Sequence, residues 1–286
     1  MLVKTKTEFI QYEEDHEKKI DLFEKYDQEG RLILQQHFSN GEVYQEKLEN
    51  YNKEGLLKFR RNIYGKGNDN NSERWDYKYD KRKKLIEIVH INCKKHKRIT
   101  RYQYRENTKK YTTFFEDGEF DSAGAIIFDG HENPITRFKL NENNEWIRKT
   151  EISYNKNNLP IKEIESIGNG NDSIKEWGYD HKLRKTFLKF KKRNESDYTE
   201  FIYEYMEPET NIEIVRIYYK PSTKYIFEEY PRLNGRILQE QEIRKYNEFR
   251  QVIEIDYSTM QHFIGMGLPN DIKNYKRFFE YTFWDD

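Results

Sequence analysis

The chain has 286 residues, of which 36% are charged, 35% hydrophobic and 16% aromatic, and its 51 basic and 51 acidic side chains leave no formal net charge. An apolar fraction well below the roughly 45–50% of ordinary globular chains excludes a thick two-layered core and favours a thin or elongated architecture, while 23 Tyr and 18 Phe exclude disorder. A single cysteine, Cys93, excludes an internal disulfide framework, and the longest nearly apolar run, Ala123 to Phe128, falls far short of the roughly 18 residues of a membrane helix.

Residues 1–25 carry one or two charged strands without an apolar leader, so the chain reads as unexported, cytoplasmic and without a membrane partner. From Tyr26 onward an aromatic residue followed by a turn-forming stretch recurs at Tyr26 (YDQEG), Tyr51 (YNKEG), Tyr79 (YDKRK), Tyr104 (YRENT), Phe128 (FDGHE), Tyr154 (YNKNN), Tyr179 (YDHKL), Tyr205 (YMEPE) and Tyr230 (YPRLNG), at intervals of 24–28 residues. Asp or Asn follows the aromatic in six of these nine copies, where its short side chain caps a tight turn. Gly30, Gly55 and Asn158 stand four residues after their tyrosines and tolerate a left-handed backbone.

A unit of about 25 residues holds two strands of about 7–9 residues and two turns. The second turns are visible at Ser39-Asn40-Gly41-Glu42, Gly65–Asn68, Glu116-Asp117-Gly118 and Gly168–Asn171. Period-two alternation, as in Trp75, Tyr77 and Tyr79 or Phe201, Tyr203 and Tyr205, predicts strands, and five prolines fall at or near turns. The residues therefore predict an all-β fold: an antiparallel β-meander of about nine two-stranded repeats over 26–257, extended or spiralling, with an N-terminal cap over 1–25 and a C-terminal cap over 258–286. A docked helix over 269–279 is the alternative for the last segment.

The recurrent Tyr-Asp-x-x-Gly, best preserved in YDQEGRL at Tyr26–Leu32 and echoed in YNKEGLL at Tyr51–Leu57, resembles the YD repeat of Rhs-type proteins; MORN-like aromatic-glycine repeats are the nearest confusable pattern. The resemblance implies a continuous meander that winds into a spiral, which in large secreted toxins becomes a hollow shell around a toxic domain. This chain is too short to enclose a domain.

Chemical motifs are sparse. His90-x-x-Cys93-x-x-His96 has metal-like spacing, but on a strand-to-turn segment the three need not converge, and no metal or cofactor is expected. Residues 81–110 contain twelve Lys/Arg, including Lys94, Lys95, Lys97 and Arg98, against two Glu, whereas 114–132 contain Glu116, Asp117, Glu119, Asp121, Asp129 and Glu132 with no Lys or Arg. Such polarity steers a charged partner. Tyr102 and Tyr104 interleave with arginines, a footprint too small on a neutral chain to indicate nucleic acid. Ser122, Ala123, Gly124 and Ala125 replace large strand residues and predict a bulge or a close backbone approach.

The expected function is non-catalytic protein binding, with Glu116, Asp117, Glu119, Asp121, Asp129, Lys94, Lys95, Lys97, Arg98, Tyr102 and Tyr104 as the binding residues. The resemblance points to an immunity, antitoxin or defence protein that neutralises a cognate toxin by occlusion. The alternatives are a structural Rhs-like shell or assembly component and an enzyme using the 116–132 acidic patch on a glycan or phosphate.

Overall fold

The computed structural model describes residues 2–12, 16–65, 71–168, 172–192, 199–209, 211–220, 232–233, 236–259 and 273–284. Its strands are β1 (Val3–Tyr12), β2 (Lys19–Tyr26), β3 (Leu32–Ser39), β4 (Glu42–Tyr51), β5 (Leu57–Tyr64), β6 (Ser72–Tyr79), β7 (Leu85–Ile91), β8 (Lys97–Arg105), β9 (Thr108–Phe115), β10 (Phe120–Phe128) and β11 (Pro134–Leu140). They continue as β12 (Trp146–Tyr154), β13 (Pro160–Ile167), β14 (Ser173–Tyr179), β15 (Lys185–Lys192), β16 (Thr199–Glu209), β17 (Ile212–Lys220), β18 (Arg232–Leu233), β19 (Arg236–Tyr246), β20 (Val252–Thr259) and β21 (Lys273–Phe283).

The fold is all-β and antiparallel. Each strand pairs with the next along the chain, β17 passing directly to β19, and β21 pairs back onto β1 from Val3↔Phe283 to Tyr12↔Tyr275. Among the described strands only the two-residue β18 stands outside this ring, against β19, so twenty strands form a closed barrel. Closure corrects the expected extended or spiralling sheet: a neighbour-to-neighbour repeat defines each rung but carries no sign of whether the last rung meets the first. The terminal segments are accordingly wall strands paired with each other, not caps. The helix alternative gives way to β21 from Lys273; residues 269–272 lie outside the described part.

The turns form as the residues predict. At Asp27 the backbone N–H bonds the Arg31 carbonyl and the Gly30 N–H bonds the Asp27 carbonyl, while Asp27 Oδ1 accepts from the N–H groups of Glu29 and Arg31. The same double cap recurs at Asn52, Asp80, Asn92, Asp129, Asn141, Asn155, Asp180 and Asn247. The fourth loop residue takes a positive φ, 76° at Gly30 and 79° at Gly55. Asn92, Asn141 and Asn247 lie outside the nine aromatic positions. Conversely, Tyr205 lies inside β16, which runs on to Glu209, so the turn expected there is displaced. Tyr230 falls outside the described residues.

The repeat aromatic has a structural task. At Tyr26, Tyr51, Tyr79, Phe128, Tyr154, Tyr179 and Tyr246 the ladder shifts register by a bulge just before the turn. The carbonyl of the residue that opens the following strand accepts a hydroxyl from the next repeat: Tyr51 to Leu32 at 3.2 Å, Tyr79 to Leu57 at 3.0 Å, Tyr154 to Pro134 at 3.0 Å and Tyr179 to Pro160 at 2.9 Å. Tyr104 bonds Leu85 and Tyr281 bonds Val252 in the same way. At the seam the Trp284 indole N–H donates to the Asp27 carbonyl at 3.0 Å.

The described residues form no conventional core. The accessible surface is 19521 Å², against about 13,000 Å² for a globular protein of 35.3 kDa. Ala123, Ala125, Ile152, Val215 and Tyr218 are the buried apolar residues among those described. The extensive approaches between strands are those between hydrogen-bonded neighbours. The wall is a single sheet thick.

We expect Tyr179→Phe and Tyr79→Phe each to lower the unfolding free energy by about 1 kcal/mol, the worth of one hydroxyl–carbonyl bond. Urea unfolding checks this, and no loss in either variant would remove the rung-to-rung role of the hydroxyl.

Candidate functional site: the inner face of the barrel

In antiparallel sheets residues directly opposite share a face, and side chains alternate along each strand. The register therefore carries one parity round the ring, through Lys6↔Glu24, Glu24↔Gln35, Gln35↔Lys47, Glu49↔Arg60, Arg60↔Trp75 and Trp75↔His90, and back through Tyr257↔Tyr275 and Tyr281↔Lys6. The repeat tyrosines lie on this face. So does every strand residue whose ionisation is shifted chiefly by burial, among them Glu8, Tyr77, His90, Tyr102, Lys109, Tyr205 and Tyr281. A closed wall makes side chains converge on its concave side and diverge on its convex side. The crowded face is the inner one.

Twenty strands about 4.8 Å apart give a ring about 30 Å across between backbones for a circular section, before strand tilt widens it. Aromatic rings and paired charges line it. Trp75 and His90 stack at 4.6 Å with planes 4° apart, and Tyr257 and Tyr275 stack at 4.7 Å. Lys109 lies over Tyr102 at 4.4 Å and Tyr104 at 5.8 Å, and burial pushes its pKa down. Three carboxylates anchor ion clusters. Glu49 takes Arg60 at 2.7 Å, Lys47 at 3.0 Å and the Tyr51 hydroxyl; burial pushes its carboxyl up, and these partners more than offset the rise. Glu213 takes Arg184, Arg244 and the Tyr246 hydroxyl. Glu8 meets Arg277 at 2.9 Å, yet burial holds its carboxyl above the ordinary range.

The eleven sequence-predicted binding residues do not form one site. Lys94 and Lys95 sit on the turn after β7, and Glu116, Asp117 and Glu119 on the adjacent turn at the same rim, where Lys97 pairs with Glu116 at 2.8 Å. One basic and one acidic residue of these neighbouring tips are thus paired with each other. Asp129 lies at the opposite rim, a nine-residue strand or about 30 Å away. Its carboxylate is held low by the Asn133 N–H and spends its oxygens on capping. The acidic patch as one site is therefore corrected: β10 carries its two halves apart. Asp121 is the bulged residue of β10. Arg98 lies over Phe115 on the inner face, beside Tyr102 and Tyr104.

The close approach predicted at Ser122–Ala125 is present. A Cβ on Gly124 would lie 2.5 Å from the Phe138 carbonyl oxygen and 2.5 Å from the Tyr111 hydroxyl. His90, Cys93 and His96 do not gather: His90 is inside against Trp75 while Cys93 lies in the turn. Among the described residues no three His, Cys, Asp or Glu side chains are placed to share a metal ion. Trp75, His90, Lys109, Tyr111, Glu49 and Arg60 were absent from the sequence-based set. The available signal was parity, since each stands an even number of residues from a repeat tyrosine on its own strand or directly opposite one that does.

No family model and no curated protein matches the chain. Among solved structures, a porin-like protein from Bacteroides uniformis aligns over 98% of both chains at 10% identity and TM-score 0.34, and one from Bacteroides vulgatus over 98% of both at 9% and 0.24. A TcdB2-TccC3-TEV protein aligns over 86% of this chain at 10% identity and TM-score 0.38, this chain spanning 15% of its length. At these scores the likenesses add no argument about function.

Closure does overturn two expectations, exclusion of a membrane and residence in the cytoplasm. Both rested on the lack of an apolar leader and of a long apolar run, and a closed barrel crosses a bilayer with strands of about 9–11 residues whose alternate side chains face lipid, so neither sign excludes a membrane for this fold.

Two outcomes test this geometry. Gly124→Ala should cost about 1–3 kcal/mol by overpacking, while Gly130→Ala, which meets nothing within 4 Å, should stay within about 0.5 kcal/mol of the parent in urea unfolding. Burial lowers the His90 pKa, Glu73 opposing and Arg98 adding to the effect. Its stabilising contribution is therefore complete above about pH 6.5 and is lost as pH falls toward the lowered value. His90→Phe, which keeps the ring against Trp75, should lose less stability than the parent between pH 7.5 and pH 5; equal losses would refute the assignment.

Proposed function

We propose that the barrel is a non-catalytic protein-binding module that receives a polypeptide segment of its partner against the aromatic inner face. In this reading it acts as an immunity or antitoxin protein of a bacterial polymorphic-toxin system and neutralises its cognate toxin by occlusion. The observation that carries the binding reading is a closed wall, one sheet thick, whose inner face holds tyrosines, tryptophans and ion clusters without a core to cover them. Aromatic rings flanked by charged groups are the residues that dominate specific interfaces. The toxin as partner rests on the YD-like repeat, whose tyrosine and turn residues perform the same structural task in successive rungs.

The alternatives fare differently. Closure removes the two free edges through which an open Rhs-like sheet would assemble, so self-association through edges loses its basis. Acid and base on the 116–132 stretch sit at opposite rims, so the enzyme reading lacks a common centre. A membrane-spanning barrel is favoured by one specific observation: five-residue turns dominate the rim that carries Asp27, Asn52, Asp80, Asn155 and Asp180, while longer connections, residues 65–71 and 193–198 among them, join strands at the other. Its cost lies on the outer face, where β6 directs Arg74, Asp76 and Lys78 outward and β12 directs Lys149 and Glu151, basic residues costing about 2–4 kcal/mol each at a bilayer midplane.

The test is affinity capture of a polypeptide partner from the native cell, followed by titration with the captured partner. Tyr102→Ala and Trp177→Ala, on the inner face, should weaken binding at least tenfold and abolish protection of growth, while Lys149→Ala on the outer face leaves both unchanged. Full binding by the inner-face variants would refute the lumen as the site, and flotation of the parent protein with phospholipid vesicles would replace this reading with the membrane one.

A further inference from the structure

The outer wall carries a recess that the lumen reading does not use. It lies over β8 to β11, where Ala123 and Ala125 stand in place of the large side chains of other strands and are 4% and 7% exposed. Register places Thr112 opposite both Arg101 and Ala123, Lys110 opposite both Gln103 and Ala125, and Leu140 opposite Ala123. Ala123 and Thr112 form a floor, and the longer neighbours rise around it. The resulting cavity of about 370 Å³ is lined by Arg101, Gln103, Lys110, Phe114 and Leu140 above Thr112 and Ala123, a size within the range of small-molecule sites.

Its two ends differ in chemistry. Lys110 and Gln103 face each other at one end, with Arg101 next along β8; Phe114 closes the other, and Leu140 flanks Ala123 from β11. Arg101 engages Glu87 through Nε at 3.5 Å, from the far side of β8. Among the described residues no carboxylate pairs with Lys110. A cationic donor without an anion, beside an amide and an apolar slot, suits a ligand with charge at one end only.

We propose that this recess binds a small amphiphilic monocarboxylate, its carboxylate held by Lys110 and Arg101 and its apolar body laid over Ala123 between Phe114 and Leu140. The recess is on the opposite face of the wall from the lumen, so the proposal stands independently of the partner-binding reading. Arg101 and Lys110 supply the charge, Gln103 an amide donor, and the Ala123 methyl group the space.

The experiment uses the full chain and three probes, 4-phenylbutyrate, its neutral amide 4-phenylbutanamide and inorganic phosphate, followed by ligand-observed NMR and isothermal titration. We expect saturable binding of 4-phenylbutyrate, at least tenfold weaker binding of the amide, and no displacement by equimolar phosphate. Lys110→Gln should weaken 4-phenylbutyrate at least tenfold without moving the thermal midpoint, and Ala123→Leu, which fills the recess, should abolish binding. Should Ala123→Leu fail to fold, the solvent-facing Arg101→Gln carries the same test. Absence of saturable 4-phenylbutyrate binding, equal affinity for the amide, displacement by phosphate, or unchanged affinity in Lys110→Gln would each overturn the proposal.

Discussion

A tyrosine hydroxyl reaching back one repeat to a backbone carbonyl is the interaction on which this barrel depends. At every double-capped turn but that of Asn92 a bulge lies beside the turn, because the five-residue loop returns the chain one residue out of step with the ladder. Bulges bend a strand and leave its backbone groups in need of partners away from the ladder. The hydroxyls of Tyr51, Tyr79, Tyr104, Tyr154, Tyr179 and Tyr281 meet that need at successive rungs. Turn and aromatic are thus two halves of one device: the Asp or Asn makes the turn, the turn makes the bulge, and the aromatic of the next copy ties the bulge down. Phe128 is the informative exception. It lacks a hydroxyl and makes no such tie, and the link at its position runs the other way, the Asn107 side-chain amide donating to the Phe128 carbonyl.

With rungs tied only to their neighbours, stability is close to a sum of nearest-neighbour terms, as in solenoids. A linear array of this kind has two weak ends. Here the ends meet, and the side chains at the join are unusually well engaged: Glu8 with Arg277, Lys6 over Phe279, and Trp284 on the Asp27 carbonyl. The seam borrows the turn of the first repeat as a docking point for the last strand, so the device that joins adjacent rungs also joins the two termini of the ring. Removing the free edges also removes the hazard of pairing with other chains that an open sheet of this length would carry.

Much of this was legible in the residues. The spacing of Tyr26, Tyr51, Tyr79, Tyr154 and Tyr179 and the Asp or Asn after each specify strand, turn and antiparallel order, because turn chemistry is local and the strands alternate with period two. Closure was not legible, since pairing of Val3 with Phe283 is a contact 280 residues apart that no repeat encodes. The extra turns at Asn92, Asn141 and Asn247 follow the Asx logic, but Ile91 and Leu140 precede two of them in place of an aromatic, so a search keyed to aromatics passes over them. The acidic stretch misled for a geometric reason: proximity in sequence across a nine-residue strand is separation by the full height of the wall. Asp117 and Asp129 look like neighbours in the sequence and stand at opposite rims.

The division of chemistry between the two faces follows from the same parity. Once the repeat tyrosine must point inward to reach the preceding rung, every second residue before it is committed to the lumen. Those positions hold Glu49, Tyr77, Tyr102, Ile152 and Trp177, large or charged side chains that lie opposite Arg60, Ile88, Tyr111, Glu163 and Leu188 on the neighbouring strands. The intervening positions are free of that demand and carry the exposed salt bridges, such as Arg74 with Asp76 and Lys162 with Glu176, which contribute little stability. An outer face with so little structural duty can accept Ala123 and Ala125 at no cost to the rung contacts, provided Tyr111 covers Gly124 from within. The lumen and the outer recess are therefore built from alternate residues of the same strands, and substitutions on one face can be made without disturbing the ties that hold the other.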